Sequence, residues 1–199
     1  MEKIMPNVSH VKSKQVIFGT DTDAISAAGT ATSLVLLNSG PWVNAQQVTL
    51  TSSANNSGIT FAVVGKDANG DAQTEGTVTG PNSGTVTVSG TWSEITSITA
   101  SGSITTDISA GIKSGATTGT IFAGRTRVRG MTGVAGGGAG HVFIKNSSAT
   151  TGPNRFILDI DSGEAIEPYI PDDGILCEDG AYFAYDGTAV VGLSIQYDG

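Results

Sequence analysis

Between Gly58 and Ser101 the chain alternates apolar and polar residues, reverses, and alternates again. Ile59, Phe61 and Val63 alternate with Thr60, Ala62 and Val64. A period of two sends one face inward and the other outward, which describes a half-buried strand. Lys66-Asp67-Ala68-Asn69-Gly70-Asp71 follows. Asn and Gly tolerate positive φ, and Asp bonds its own backbone two residues on, so this stretch reverses the chain. The chain returns over Gln73–Val78 and turns at Gly80-Pro81-Asn82-Ser83-Gly84. It runs out over Thr85–Ser89 and comes back over Trp92–Ala100, where Trp92, Ile95 and Ile98 stand amid Ser and Thr. These segments read as an antiparallel meander, and a chain that contains one folds around sheets.

Composition points the same way. The chain has 199 residues, enough for one large or two modest domains with a real core. Charged residues make up 14% and apolar residues 38%. Disordered chains have the opposite balance. Low charge with 28 glycines suits close-packed β structure with tight turns, and suits a protein that works in an assembly. The net charge is −8 and no Lys/Arg cluster is present, so no nucleic-acid partner is expected, because phosphate contacts dominate that affinity. No apolar run approaches the ~20 residues of a spanning helix, so no membrane partner is expected either. Met1-Glu2-Lys3-Ile4-Met5-Pro6 has no apolar core of a secretory signal. Cys177 is the single cysteine, which fits a reducing cytoplasm.

Taken in order, residues 1–20 read as an N-terminal arm, with a short edge strand at Gln15-Val16-Ile17-Phe18 as the alternative. Asp23-Ala24-Ile25-Ser26-Ala27-Ala28 is the one helix-like patch, stopped by Gly29. Ser33-Leu34-Val35-Leu36-Leu37, closed by Asn38-Ser39-Gly40-Pro41, reads as a short buried strand. With Gln47–Ser52, the meander and Ile104–Ile112, about seven strands precede residue 113, the mark of a sandwich or barrel. Small, flexible residues at 114–119 predict a linker. The second half adds about seven more strands, among them His141–Lys145, Arg155–Ile160, Ala181–Tyr185 and Ala189–Tyr197. The expected fold class is therefore all-β: two tandem antiparallel β-sandwiches, immunoglobulin-like or jelly-roll-like, over residues 21–113 and 120–199.

The candidate chemistry is sparse. Arg125, Arg127 and Arg129 fall at period two, so on a strand they share a face. That face is either solvated or a stripe that pairs with carboxylates of a neighbouring subunit, because guanidinium meets carboxylate two-pronged. A homo-oligomer would repeat that contact. From residue 120 on there are ten Asp/Glu against five Lys/Arg, and before it eight against five. Asp67-Ala68-Asn69-Gly70-Asp71 starts like a calcium loop, but Ala72 and Val78 stand where Gly and Glu belong, so a turn is the stronger reading. Asp159, Asp161 and Glu164 could gather near a cation. His10 and His141 have no ligand partner at zinc spacing. No nucleophile elbow or phosphate loop appears. Trp42, Trp92, Tyr169, Tyr182, Tyr185 and Tyr197 would serve either a glycan platform or, as favoured, packing. No enzyme, cofactor or metal is expected.

A further signal is a resemblance. The Ser57-Gly58-Ile59-Thr60-Phe61 strand, the Gly65-Lys66-Asp67-Ala68-Asn69-Gly70 turn and the Ser97-Ile98-Thr99-Ala100-Ser101-Gly102 strand resemble a module of virion structural proteins from tailed phages, notably marine and cyanobacterial ones. Arg127-Val128-Arg129-Gly130-Met131, Ile170-Pro171-Asp172-Asp173-Gly174-Ile175 and Val190–Tyr197 resemble small phage β-sandwich proteins. Gly76 departs from the module, where a β-former is usual, and so suggests a bulge. The resemblance implies a non-enzymatic virion part, made in the host bacterial cytoplasm. The part expected is a capsid decoration or cement protein partnered by the major capsid protein lattice or other virion proteins. A tail, fibre-base or head–tail accessory protein and a carbohydrate-binding module for host attachment are the alternatives.

Overall fold

The computed structural model describes residues 11–136, 138–187 and 190–199. The first half of the expected arm with His10, Gly137 of the glycine-rich loop and Ala189 of the last expected strand lie outside the described residues. The described residues form sixteen strands and no helix. In chain order these are β1 (Val11–Ile17), β2 (Asp21–Gly29), β3 (Val48–Asn55), β4 (Thr60–Lys66), β5 (Ala72–Thr79), β6 (Asn82–Thr87), β7 (Glu94–Ala100), β8 (Ile108–Ile112), β9 (Thr118–Phe122), β10 (Thr126–Ala135), β11 (Gly140–Asn146), β12 (Asn154–Ile160), β13 (Ala165–Ile166), β14 (Ile175–Cys177), β15 (Ala181–Tyr185) and β16 (Val190–Asp198).

The fold is all-β, built of antiparallel sheets packed face to face as sandwiches. In the first half the sheets run β2-β8-β3-β6 and β5-β4-β7. Between them lies a core around Trp92, Phe61, Leu50, Ile98 and Ile108. In the second half one sheet runs β1-β16-β10-β13, with β14 also on β10, and the other runs β12-β11-β15-β9. Their core centres on Phe183, Ile144, Val128, Met131 and Ile195.

The alternating segments form strands but not the expected meander: β4 and β5 pair as a hairpin, β6 crosses to the opposite sheet to pair with β3, and β7 returns to the other edge of β4. Alternation fixes which face a strand buries but not which edge it joins. Phe61 and Val63 are fully buried on β4, which pairs with β5 on one edge and β7 on the other. The register slips between Phe61↔Val78 and Val63↔Glu75, so Gly76 and Thr77 together oppose Ala62. This is the bulge that Gly76 suggested. Gly65, beside a second slip against β7, sits so close to the Glu94 carbonyl that a Cβ would overlap it.

Three further expectations need correction. Asp23–Ala28 is not helical; it lies in β2. Six residues closed by Gly29 cannot recover the cost of helix nucleation, whereas the β8 edge offers ready backbone partners. The match is loose, with pairs only at Asp21↔Ile112, Ser26↔Ala110 and Gly29↔Ile108. Ser33–Leu37 is not a strand. It is a strap: Leu34 N–H donates to the Ile98 carbonyl at 3.0 Å, and Leu37 N–H to the Ile25 carbonyl at 2.7 Å. It thus crosses from β7 in one sheet to β2 in the other and closes that side of the sandwich. The stretch at 114–119 is not a slack linker. Ala116 N–H donates to the Ile17 carbonyl at 2.9 Å, Thr20 Oγ1 donates to the Lys113 carbonyl at 2.7 Å, and β9 has begun by Thr118. Gly115 lies against the backbone of Phe18 and Gly19, where a Cβ would not fit. Here small residues serve close approach rather than flexibility.

The segment from Val11 to Ile17 is a paired strand. β1 runs antiparallel to β16 from Val11↔Asp198 to Ile17↔Gly192. Val16 enters the core of the second sandwich, while Ile17 enters the core of the first. Trp42 and Val43 divide in the same way, Trp42 to the first core and Val43 to the second. Val43 N–H donates to the Gln15 carbonyl at 3.0 Å, and Gln15 N–H to the Pro41 carbonyl at 2.8 Å. The two sandwiches are therefore joined by buried contacts as well as by covalent connection. A chain starting at Thr20 should lose more than about 5 °C of thermal midpoint by calorimetry, because the second sandwich then loses an edge strand and the buried Val16. An unchanged midpoint would mean that the segment is only an arm.

Candidate functional site

The arginine stripe lies on β10, where Thr126 and Val128 point into the core and Arg127 and Arg129 point outward. Arg125 precedes the strand and is exposed. The ladder to β16 slips between Val128↔Tyr197 and Gly130↔Gln196, which leaves Arg129 as the extra residue of a bulge. A bulge re-aims its side chain. Arg129 Nε donates to Asp198 Oδ2 at 2.8 Å, its Nη2 lies 2.6 Å from the same oxygen, and its Nη1 donates to the Asp172 carbonyl at 2.7 Å. Arg127 Nη1 donates to the Asp173 carbonyl at 2.6 Å. Both guanidinium groups thus hold the Pro171–Gly174 turn, which β14 brings alongside through Arg127↔Leu176 and Val128↔Ile175. The hydrogen bond to Asp198 raises the pKa of Arg129. Two members of the stripe are engaged inside the chain, and Arg125 stands apart from them.

At the mouth of the β11–β12 hairpin lies a second charged cluster. His141 Nδ1 is 3.0 Å from both carboxylate oxygens of Asp186, and its main-chain N–H donates to Asp186 Oδ1 at 2.8 Å. Its Nε2 faces Asp159 Oδ1 at 3.5 Å. An open depression of about 350 Å³ lies here, lined also by Asp161. The His141 main-chain N–H first, then its ring, hold the Asp186 carboxyl below the usual range. The two nearest carboxylates lie on opposite ring nitrogens, so they cannot share one cation with the imidazole. Nε2, where a nucleophile's proton would be taken, faces a carboxylate instead. Among the described residues no three His, Cys, Asp or Glu side chains converge as a cation cage.

The calcium-like loop is a hairpin turn. Asp67 Oδ1 accepts the Asn69 and Asp71 N–H groups at 2.8 and 2.9 Å, and the Asp71 amide in particular lowers its pKa. Gly70 takes φ +86°. The aromatic residues do not form a platform. Trp42 and Trp92 are buried with their indole N–H groups bonded to Asn38 and the Ser89 carbonyl, and Tyr182, Tyr185 and Tyr197 are buried too. Tyr169 alone of the six is exposed.

The structure also assembles features the sequence reading missed. Lys14 lies half-buried where the sandwiches meet; its ammonium donates to the Thr120 carbonyl at 2.9 Å, and burial lowers its pKa. It lines a cleft of about 410 Å³ with Trp42, Lys66, Glu94 and Tyr197. Asn56 is buried at the far end of the first sandwich. Its Nδ2 donates to Ser52 Oγ at 3.0 Å, and its Oδ1 accepts from Thr105 Oγ1 at 3.1 Å. An Asn among Ser and Gly announces a turn, not a buried anchor, so no local signal marks it. Val35 and Leu37 project from the strap, 72% and 67% exposed. Their alternation with the inward Leu34 and Leu36 was the available signal, hidden in an unbroken apolar run.

No protein-family model, curated protein sequence or solved structure matches this chain.

Two outcomes test these assignments. Arg129→Ala should cost about 1 kcal/mol in denaturant unfolding, while Arg125→Ala stays within about 0.5 kcal/mol. Equal effects would sink the clamp. The Asp186 carboxyl, with its folded pKa depressed, contributes stability above its ordinary range and loses it as pH falls through the folded value. Asp186→Asn should therefore lower the thermal midpoint at neutral pH, and the gap to the native chain should close in acid.

Proposed function

We propose that this chain is a non-enzymatic structural protein of a tailed-phage particle, a decoration or cement protein on the outside of the assembled head. The observation that carries the reading is the joining of the two sandwiches through β1, whose neighbouring residues Val16 and Ile17 enter different cores. Such a rigid two-part body can span neighbouring sites of a lattice and hold them at a fixed spacing. The phage-like segments support it. Those of the first half are β4, its turn and β7, which pair directly through Phe61↔Ala100 and Val64↔Ser97. Those of the second half meet in one sheet as β10, β14 and β16. The charged clusters are engaged in holding strands and turns, as suits a part whose work is mechanical.

A decoration protein binds the assembled lattice and not the free subunit, so it stabilises the shell by mass action. Added to bare heads at about 100 times its dissociation constant, it should contribute ~2.7 kcal/mol per site and raise the temperature at which heads release their contents. Gel densitometry of purified particles should find it in high copy. About a dozen copies or fewer, as a cyclic tail ring would hold, would overturn the head assignment in favour of the tail.

A further inference from the structure

Asn69 is the one asparagine in the chain that glycine follows. Every other asparagine precedes a residue with a side chain, which hinders that residue's nitrogen. Asn69 and Gly70 both lie exposed at the tip of the β4–β5 hairpin. The turn imposes the pair, since Gly70 stands at φ +86°, where a side chain is strained. Nothing lies within 4 Å of where a Gly70 Cβ would stand, so the peptide between the two residues has room to rotate. Their restraints are long and exposed to solvent: Asn69 Nδ2 donates to Asp67 Oδ2 at 3.4 Å, and Gly70 N–H to the Asp67 carbonyl at 3.1 Å. Elsewhere side-chain amides are held more firmly. Asn56 and Asn146 are buried, and Asn146 bonds Asp179 through both its amide atoms, at 2.9 and 3.1 Å. Asn38 Oδ1 accepts from the Trp42 indole at 3.1 Å.

We propose that Asn69 is a site of spontaneous modification, converted to aspartate or isoaspartate by attack of the Gly70 main-chain nitrogen on its side-chain carbonyl carbon. That bond forms as the carbon's bond to Nδ2 breaks, and the Gly70 amide proton leaves with the side-chain NH2 as ammonia. Water then opens the resulting cyclic imide on either side, and nothing is oxidised or reduced. The hairpin gates the reaction, because Gly70 N–H must first leave the Asp67 carbonyl. Opening one exposed turn costs far less than unfolding a sandwich, so attack proceeds from the folded chain. The product loosens its own turn. A carboxylate at 69 takes the place of the donor to Asp67, whose carboxyl is held below its usual range by the Asp71 amide first and so stays ionised. Like charges then face each other. Isoaspartate also lengthens the main chain where Asp67 N–H meets the Asp71 carbonyl at 2.9 Å. Asn69 lines the cleft where the sandwiches meet, with Lys14, Lys66 and Glu94, so the conversion adds a charge at their junction.

Peptide mapping by mass spectrometry of the full chain, kept for days at mildly alkaline pH, tests this independently of any phage particle. Acid at position 69 should appear at least about tenfold faster than at any other asparagine, a barrier difference of about 1.4 kcal/mol. Both aspartate and isoaspartate should be found there, since the imide opens either way. Denaturant should speed the conversion by freeing Gly70 N–H. Asn69→Gln should abolish it, because the longer side chain closes a less favourable ring, and circular dichroism checks that this variant keeps the fold. Asn69→Asp should lower the thermal midpoint, and an equal midpoint would sink the loosening of the turn. A folded chain that keeps its amide while the denatured chain loses it, another asparagine converting first, aspartate without isoaspartate, or a rate indifferent to denaturant would each overturn the proposal.

Discussion

The pairing of β1 with β16 is the contact on which the two-part architecture depends. It ties one end of the described chain to the other, from Val11↔Asp198 to Ile17↔Gly192. It also sets the junction. Because side chains alternate along an extended backbone, Val16 faces one core and Ile17 the other. Phe18 then meets Phe183 and Tyr185 edge-on, at 5.9 and 5.1 Å between ring centres. The Pro41–Val43 segment runs beside β1 and repeats the division with Trp42 and Val43. Closing such distant segments costs chain entropy, and the two cores recover it together.

The first sandwich is assembled with little charge. Its far end is organised by the buried Asn56, which bonds to Ser52 and Thr105 and donates its own N–H to the Pro81 carbonyl at 2.8 Å. Asn56 thus ties Ser52, Pro81 and Thr105 together there through neutral hydrogen bonds. One open side is closed by the strap, whose inward Leu34 and Leu36 add to the core. Its outward Val35 and Leu37 are what that closure leaves on the surface.

In the second sandwich the charged groups fasten elements that hydrogen-bonded ladders alone do not reach. Arg129, displaced by its bulge, fixes the Pro171–Gly174 turn to the end of β16. His141 and Asp186 fasten β11 to the segment after β15, and Asn146 does the same work at the opposite end through Asp179, at 2.9 Å. Half-exposed pairs of this kind add modestly to stability, so their larger effect is on geometry.

Sequence alone sufficed for the β class, the strands of the Gly58–Ser101 stretch, the Asp67–Asp71 hairpin and even the bulge at Gly76, but not for the crossing of β6 to the opposite sheet. Each of the legible features rests on a period of two or on local turn chemistry, and neighbours in the chain settle both. It misjudged Asp23–Ala28 and Ser33–Leu37, where local preference is weak and the β8 and β7 edges decide. The candidate site was less legible than the fold. Alternation put Arg127 and Arg129 on one face, but their partners Asp172, Asp173 and Asp198 lie more than forty residues away in the chain. The ring of His141 likewise gives no hint of Asp186, forty-five residues on. Only the tertiary structure decided that β1 belongs to the second sandwich, that residues 114–119 are pinned, and that Ser33–Leu37 becomes a strap. Those outcomes depend on which distant edges meet, and a one-dimensional pattern carries hydrophobic phase but not the identity of the partner.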